Sequence, residues 1–221
     1  MSETITMSSL DEIKEKTSKF IIGTYNKYDV AFSFGSGEIL YDTNGKEYID
    51  FMCGISVTNL GHSEADIMEA LRDQSDRLVH SSNLFYSKEA AELAESIVVH
   101  SFPGKVFFCN SGTEANEAAF KLARKFAISE KKSDAVILSL QGSFHGRTIG
   151  SMSLSGQEKI REGFGELLGG IVYLPPNDET ALQSAFEKHR GKIAAMIMEP
   201  ILGESGIVPL NTEYIRLARK L

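Results

Sequence analysis

Ile193-Ala-Ala-Met-Ile-Met198 runs as an unbroken apolar stretch with no polar alternation. A strand with one face in water alternates; a strand covered on both faces does not. Ala135-Val-Ile-Leu-Ser-Leu140 and Ile171-Val-Tyr-Leu174 have the same character. A helical pattern over Thr180–His189 separates the last two of these three strands. Continuous apolar strands between helices predict an α/β domain with a mostly parallel sheet. Val106-Phe-Phe-Cys109 reads as a further short buried strand. It leads into a helix over Glu114–Ile128, with Ala115, Ala118, Ala119, Leu122, Ala123 and Phe126 predicted on one face.

The first third of the chain reads differently. Ser9-x-x-Glu12 is a capping box for a helix reaching Phe20. Gly35 to Phe51 reads as a hairpin turning at Asn44-Gly45, followed by a loop from Gly54 to His62. Two helices follow, Glu64–Val79 and Lys88–Val99. The expected organisation is a helix-and-hairpin segment over 1–75 and an α/β layer domain over 76–221. Asn211–Leu221 carries Tyr214, Ile215, Ala218 and Leu221 at helical spacing with no Gly, Asn or Pro to stop it. That pattern leads us to expect a natural chain that continues.

Charge narrows the partners. The formal net charge is −7, and an acidic chain without a basic stretch disfavours nucleic acid. No apolar run is long enough to cross a bilayer, and Met1 to Leu10 lacks a basic segment leading into an apolar run. The two cysteines, Cys53 and Cys109, form no CxxC pair. Reduced thiols in a cytoplasmic protein are expected. His145 has no partner at metal-ligand spacing, and no metal is expected.

In open α/β sheets ligands bind beyond the carboxyl ends of the strands. Three post-strand segments carry chemistry there. Ser111-Gly112-Thr113 lies where a strand turns into a helix, so backbone N–H groups, hydroxyls and the helix dipole favour a phosphate. Ser111-x-x-Glu114 is equally a capping box that needs no ligand. Phe144 and Arg147, three apart between glycines, suit a planar ring and a carboxylate. They also suit a core Phe and a solvated Arg. Glu199 and Glu204 lie in a Gly/Pro-rich loop and could orient an amine or a cofactor. Phosphate, ring and carboxylate recognition at one sheet edge suggest pyridoxal phosphate (PLP) and an amino acid.

From about Ile22 onward the chain resembles the N-terminal half of the class III aminotransferases, the acetylornithine and ornithine aminotransferase family. The resemblance rests on Leu40-Tyr-Asp-Thr-Asn-Gly-Lys-Glu-Tyr-Ile-Asp-Phe51, Asn59-Leu-Gly-His62 and Ser82-Asn-Leu-Phe-Tyr86. It continues through Asn110-Ser-Gly-Thr-Glu-Ala-Asn116, Phe144-His-Gly-Arg-Thr148 and Glu199-Pro200 with Gly203-Glu204. It is closest to the acetylornithine branch.

The resemblance implies the aspartate-aminotransferase-like fold (type I), here an incomplete large domain plus the N-terminal segment of the small domain. It implies a homodimer and PLP. Gly112 and Thr113, with Ser111 beside them, would hold the phosphate. Phe144 would stack on the pyridine ring, Arg147 would bind the substrate carboxylate, Glu199 would lie near the cofactor, and Glu204 would help set substrate choice. The implied reaction moves the side-chain amine of N-acetylornithine to 2-oxoglutarate. Ornithine, succinylornithine or 4-aminobutyrate transaminases, an aminomutase, and a non-catalytic fragment stay open as alternatives. A nucleotide-binding domain is weaker, because neither GxGxxG nor GxxxxGK[ST] occurs.

Leu202 stands where the family usually has Gln, and Ser63-Glu64-Ala65 replaces a common Cys-His-Pro. No lysine of the chain is expected at a strand's carboxyl end, so the lysine that holds the cofactor covalently is expected outside these 221 residues. Without that lysine the chain alone is expected to lack transaminase activity.

Overall fold

The computed structural model describes residues 9–221. They divide into two compact units, one ending at Ala91 and one beginning at Glu92.

The first unit opens with α1 (Leu10–Phe20). Its capping box closes in both directions: the Ser9 N–H donates to Glu12 Oε2 at 3.1 Å, and Ser9 Oγ accepts from the Glu12 N–H at 3.3 Å. The expected hairpin proves to be a three-stranded antiparallel meander of β1 (Phe32–Ser36), β2 (Ile39–Asp42) and β3 (Glu47–Ile49). Gly35 falls inside β1, opposite Leu40. The extra strand is hidden in sequence because its alternation is short and contains a glycine. Gly45 takes φ +79° in the β2–β3 turn, as an Asn-Gly signal requires.

Asp42, which motif reading passes over, is the turn's organiser. Its carboxylate accepts from the Asn44 and Lys46 N–H groups at 2.8 and 3.0 Å and from the Tyr48 hydroxyl at 3.2 Å. These bonds, led by the Lys46 N–H, hold its pKa below the ordinary carboxylate value.

Residues 50–62 form a loop closed at both ends. His62 Nε2 lies 2.7 Å from Asp50 Oδ2, and the backbones of Gly37 and His62 exchange two hydrogen bonds. Within the loop a short turn, α2 (Cys53–Ser56), has positive φ at all four residues. The helix α3 (Ala65–Arg77) follows, and α4 (Lys88–Val99) crosses the boundary at Ala91. Glu64, expected as a helical residue, is the N-cap of α3 and accepts from the Ile67 N–H at 2.9 Å.

The second unit, which begins at Glu92 and not at the expected residue 76, holds the parallel sheet. Its parallel sheet has the order β5-β4-β6, built from β4 (Val136–Leu140), β5 (Ile171–Leu174) and β6 (Ile193–Met196). Both faces are covered. Leu138 and Leu140 pack with Leu182, Ala185 and Tyr214 of α7 (Glu179–Lys188) and α8 (Thr212–Lys220). Ile137 packs with Phe120 of α5 (Gly112–Ser129) and Leu154 of α6 (Ile149–Leu154). Burial pushes the Tyr214 hydroxyl up to about 12.

The sequence expectation fails at two places here. Val106–Cys109 forms no strand, because it finds no ladder partner among the described residues; apolar character alone does not make one. The inward face of α5 shares only Ala123 with the expected row, and Leu122 and Phe126 are exposed. It is Thr113, Asn116, Phe120, Ala123 and Ala127, at 3-4-3-4 spacing. The Gly/Pro-rich stretch after β6 is a small hairpin, β7 (Ile201–Leu202) against β8 (Val208–Pro209).

Candidate functional site

Three segments of the second unit, the start of α5 and the stretches after β4 and β6, are joined by hydrogen bonds at the carboxyl end of β4. Ser111 is the N-cap of α5, with extended backbone, and its Oγ accepts from the Glu114 N–H at 3.2 Å. Glu114 folds back so that its carboxylate accepts from the Asn110 N–H at 2.8 Å. The Ser111 cap forms as the motif allowed, but the return bond of a capping box goes one residue further back, to Asn110 instead of the Ser111 N–H.

Its ligand-facing side remains available. The N–H groups of Gly112 and Thr113 belong to the first turn, which has no intrahelical acceptors for them. A Cβ built on Gly112 would meet nothing within 4 Å. No internal packing demands glycine there.

The second segment follows β4. Gly142 and Gly146 both take positive φ, +79° and +131°. At Gly146 a side chain would also run into Ser151, whose Cβ lies 3.0 Å from an added Cβ. The turn therefore presses tightly onto α6. It presents Phe144 half-buried and Arg147 exposed. The Arg147 guanidinium carbon sits 5.5 Å from the Phe144 ring centroid, a cation–π distance.

Two bonds tie this segment to α5. The Arg147 N–H donates to Thr113 Oγ1 at 3.4 Å, and Asn116 Nδ2 donates to the His145 carbonyl at 2.8 Å.

The third segment follows β6. Glu199 is half-buried. Its Oε1 accepts from the Phe144 N–H at 2.7 Å, and its Oε2 accepts from the Gly203 N–H at 3.3 Å. One carboxylate thus braces the ring-bearing turn and the β7–β8 hairpin. Ser205 Oγ, on the same hairpin, donates to the Gly142 carbonyl.

The structure thus brings Ser111, Gly112, Thr113, Phe144, Arg147 and Glu199 into one linked set. Glu204 stands apart, exposed at the hairpin tip. Leu202, at the family's usual Gln position, is a core residue packed with Leu210 and Tyr214.

His145 is 4 % exposed and its Nε2 has no hydrogen-bond partner among the described residues. Its backbone N–H donates to Ser155 Oγ at 2.8 Å. Burial pushes the imidazole below its ordinary value of 6.5, against an opposing pull from the Glu199 charge. The ring is consequently neutral at pH 7.

No lysine stands at the carboxyl edge of β4, β5 or β6; Lys192 precedes β6, at the opposite end. Among the described residues no group of His, Cys, Asp and Glu is placed to hold a metal ion.

Sequence reasoning missed Asn116, Glu117, Ser143 and Ser155. Asn116 and Glu117 could have been found, since they lie one helical turn beyond Thr113 on the same face of α5. The serines carry no motif. They are fully buried and satisfy loop backbone: Ser143 Oγ accepts from the Gly156 N–H at 3.0 Å.

The class III aminotransferase family profile matches residues 24–221. An acetylornithine aminotransferase of Caldanaerobacter subterraneus is 43 % identical over 92 % of this chain and 51 % of its own length. The mitochondrial acetylornithine aminotransferase of Saccharomyces cerevisiae is 44 % identical over 91 % of this chain and 50 % of its own.

Among solved structures, an ornithine aminotransferase from Toxoplasma gondii superposes with a TM-score of 0.89 at 27 % identity, over 96 % of this chain and 51 % of that one. The N-acetylornithine aminotransferase of Stenotrophomonas maltophilia gives 0.74 at 37 % identity, over 90 % and 49 %. The chain spans about half the length of the curated relatives it matches. With the family profile covering all but its first residues and the three site segments in place, the chain belongs to the class III aminotransferases.

Proposed function

We propose that this chain forms the cofactor cradle of a PLP-dependent aminotransferase that moves the side-chain amine of N-acetylornithine to 2-oxoglutarate. The observation that carries the reading is the pair of bonds joining three segments at one strand end: Arg147 N–H to Thr113 Oγ1, and Phe144 N–H to Glu199 Oε1. The acyl-amine donor is favoured by the curated relatives, named acetylornithine aminotransferases at 43–44 % identity.

The residues fit PLP. The gap over Gly112 admits a phosphate oxygen to the N–H groups of the first turn of α5, where the helix dipole favours an anion. The Phe144 ring offers a face to a planar heterocycle. PLP, when bound, supplies an electron sink that stabilises a carbanion next to the nitrogen.

The chain's own residues bind and orient. Gly112 and Thr113 hold the phosphate end, with Ser111 beside them. Arg147 grips a substrate carboxylate through its planar fork. Glu199 keeps Phe144 and the hairpin in register, and Glu204 borders the side-chain end of the substrate. None of the lysines placed here reaches the edge where a covalent link or proton transfer would occur.

A homodimer is part of the proposal and is checked by mass in solution. No helix is long and apolar enough to cross a membrane among the described residues.

The test is an assay of the full-length, PLP-loaded protein, not of these 221 residues alone, with 2-oxoglutarate and one amine donor at a time. N-acetylornithine should give the highest kcat/KM. Faster turnover of ornithine or 4-aminobutyrate would reassign the donor, and no glutamate from any donor would overturn the reading.

A further inference from the structure

Thr113, Asn116 and Glu117 sit at i, i+3 and i+4 on α5, and all three side chains bond to the segment that carries Phe144 and Arg147. Thr113 accepts from the Arg147 N–H, and Asn116 donates to the His145 carbonyl. Glu117 makes the most contacts. Its Oε1 accepts from the Thr148 hydroxyl at 2.5 Å and from the Ser151 N–H at 3.1 Å. Thr148 Oγ1 also lies 2.8 Å from Ser151 Oγ. The N-cap of α6 is Thr148, which makes no side-chain bond to its own helix's backbone N–H groups. The acceptor an N-cap normally supplies comes instead from another helix.

The fit is close enough to be specific. A Cβ added to Gly150 would lie 2.6 Å from Glu117 Oε1 and 2.8 Å from its carboxyl carbon. Gly150 therefore lets the carboxylate reach the start of α6. Gly146, four residues before it, is pressed against Ser151 in the same way. Thr148, next to Arg147, is held from both sides.

We propose that Glu117 is a positioning residue that fixes Arg147, through Thr148 and the Ser151 N–H, in register with the phosphate-binding start of α5. The proposal rests on the reading of Arg147 as the carboxylate grip. One helix would then set the distance between two recognition elements: its first turn holds the phosphate and its second turn holds the arginine's loop. A carboxylate suits the task because it accepts two or more bonds and favours the positive end of α6.

The test uses the full-length, PLP-loaded protein and glutarate, a dicarboxylate that cannot react. Its dissociation constant is measured by calorimetry for wild type, Glu117→Ala, Glu117→Gln, Arg147→Ala and the Glu117→Ala/Arg147→Ala pair, with melting temperatures alongside. A positioning role predicts that Glu117→Ala weakens glutarate roughly tenfold, since small misplacements of a binding group are costly. Glu117→Gln, which keeps an acceptor oxygen, should stay within about threefold. Glu117→Ala should add nothing once Arg147 is gone.

Wild-type affinity in Glu117→Ala, with Arg147→Ala weakened, would overturn the proposal and leave the carboxylate reading standing. An equal loss on the Arg147→Ala background would overturn it too, because Glu117 would not act through Arg147. Wild-type affinity in Arg147→Ala would bring down the carboxylate reading and the proposal with it. Should Glu117→Ala fail to fold, Thr148→Val removes one donor to the same carboxylate. It is expected to weaken glutarate about threefold, and wild-type affinity there would overturn the proposal.

Discussion

The two units keep their shape by different means. In the second, leucines of β4 and α7 are wholly buried, and two apolar clusters cover opposite faces of the sheet. In the first, the only buried residue among those described is Asp42. Its order comes from caps, a carboxylate cage and the Asp50–His62 pair, while Phe51, Ile55, Val57 and Leu60 stand exposed on the loop between. A core is cooperative, because removing one side chain leaves a void for all its neighbours. Local polar bonds fail one at a time. The difference teaches that the site rests on the cooperative unit, and that the other unit's shape is specified locally.

The largest effect should separate the units outright. Leu138→Ala empties a fully buried position and should cost about 2–5 kcal/mol in urea unfolding. Leu71→Ala on α3, where the side chain is 61 % exposed, should stay within about 0.5 kcal/mol. Equal costs would break the comparison.

A smaller effect belongs to His145. Its folded pKa is depressed below 6.5 by burial. As pH falls through 6.5 the unfolded chain takes up a proton that the folded chain resists, so stability must drop toward acid. His145→Gln should flatten that part of the melting-temperature profile. An unchanged slope would remove His145 from the account.

The smallest effect is local. Asp50→Asn weakens the pair that closes the 50–62 loop. Limited proteolysis should then cut faster within residues 51–60 while the melting temperature of the α/β unit holds. Loss of both together would show that the units are not separately organised.

How much was legible follows the same division. The parallel sheet could be read because two-sided burial forces unbroken apolar strands, as in Ile193–Met196. The α5 cap was visible as Ser111-x-x-Glu114. Val106–Cys109 misled because a strand is made by its partner, and composition names no partner. The inward face of α5 misled because Leu122 and Phe126 are more apolar than Thr113 and Asn116, yet it is Thr113 and Asn116, with the expected Ala123, that lie against the sheet and the loop. The joints at Glu199, Asn116 and Glu117 are pairings across 29 to 55 residues of sequence; no local pattern records them.

The central claim is that the gap over Gly112 exists for a phosphate. Gly112→Val tests it most directly, because a Cβ there meets nothing of the chain itself. PLP binding to the full-length protein would be titrated by absorbance, beside melting of the cofactor-free form. The account predicts an unchanged cofactor-free melting temperature with PLP affinity lowered by roughly tenfold or more, the effect of crowding a phosphate off its backbone donors. PLP binding equal to wild type would contradict it.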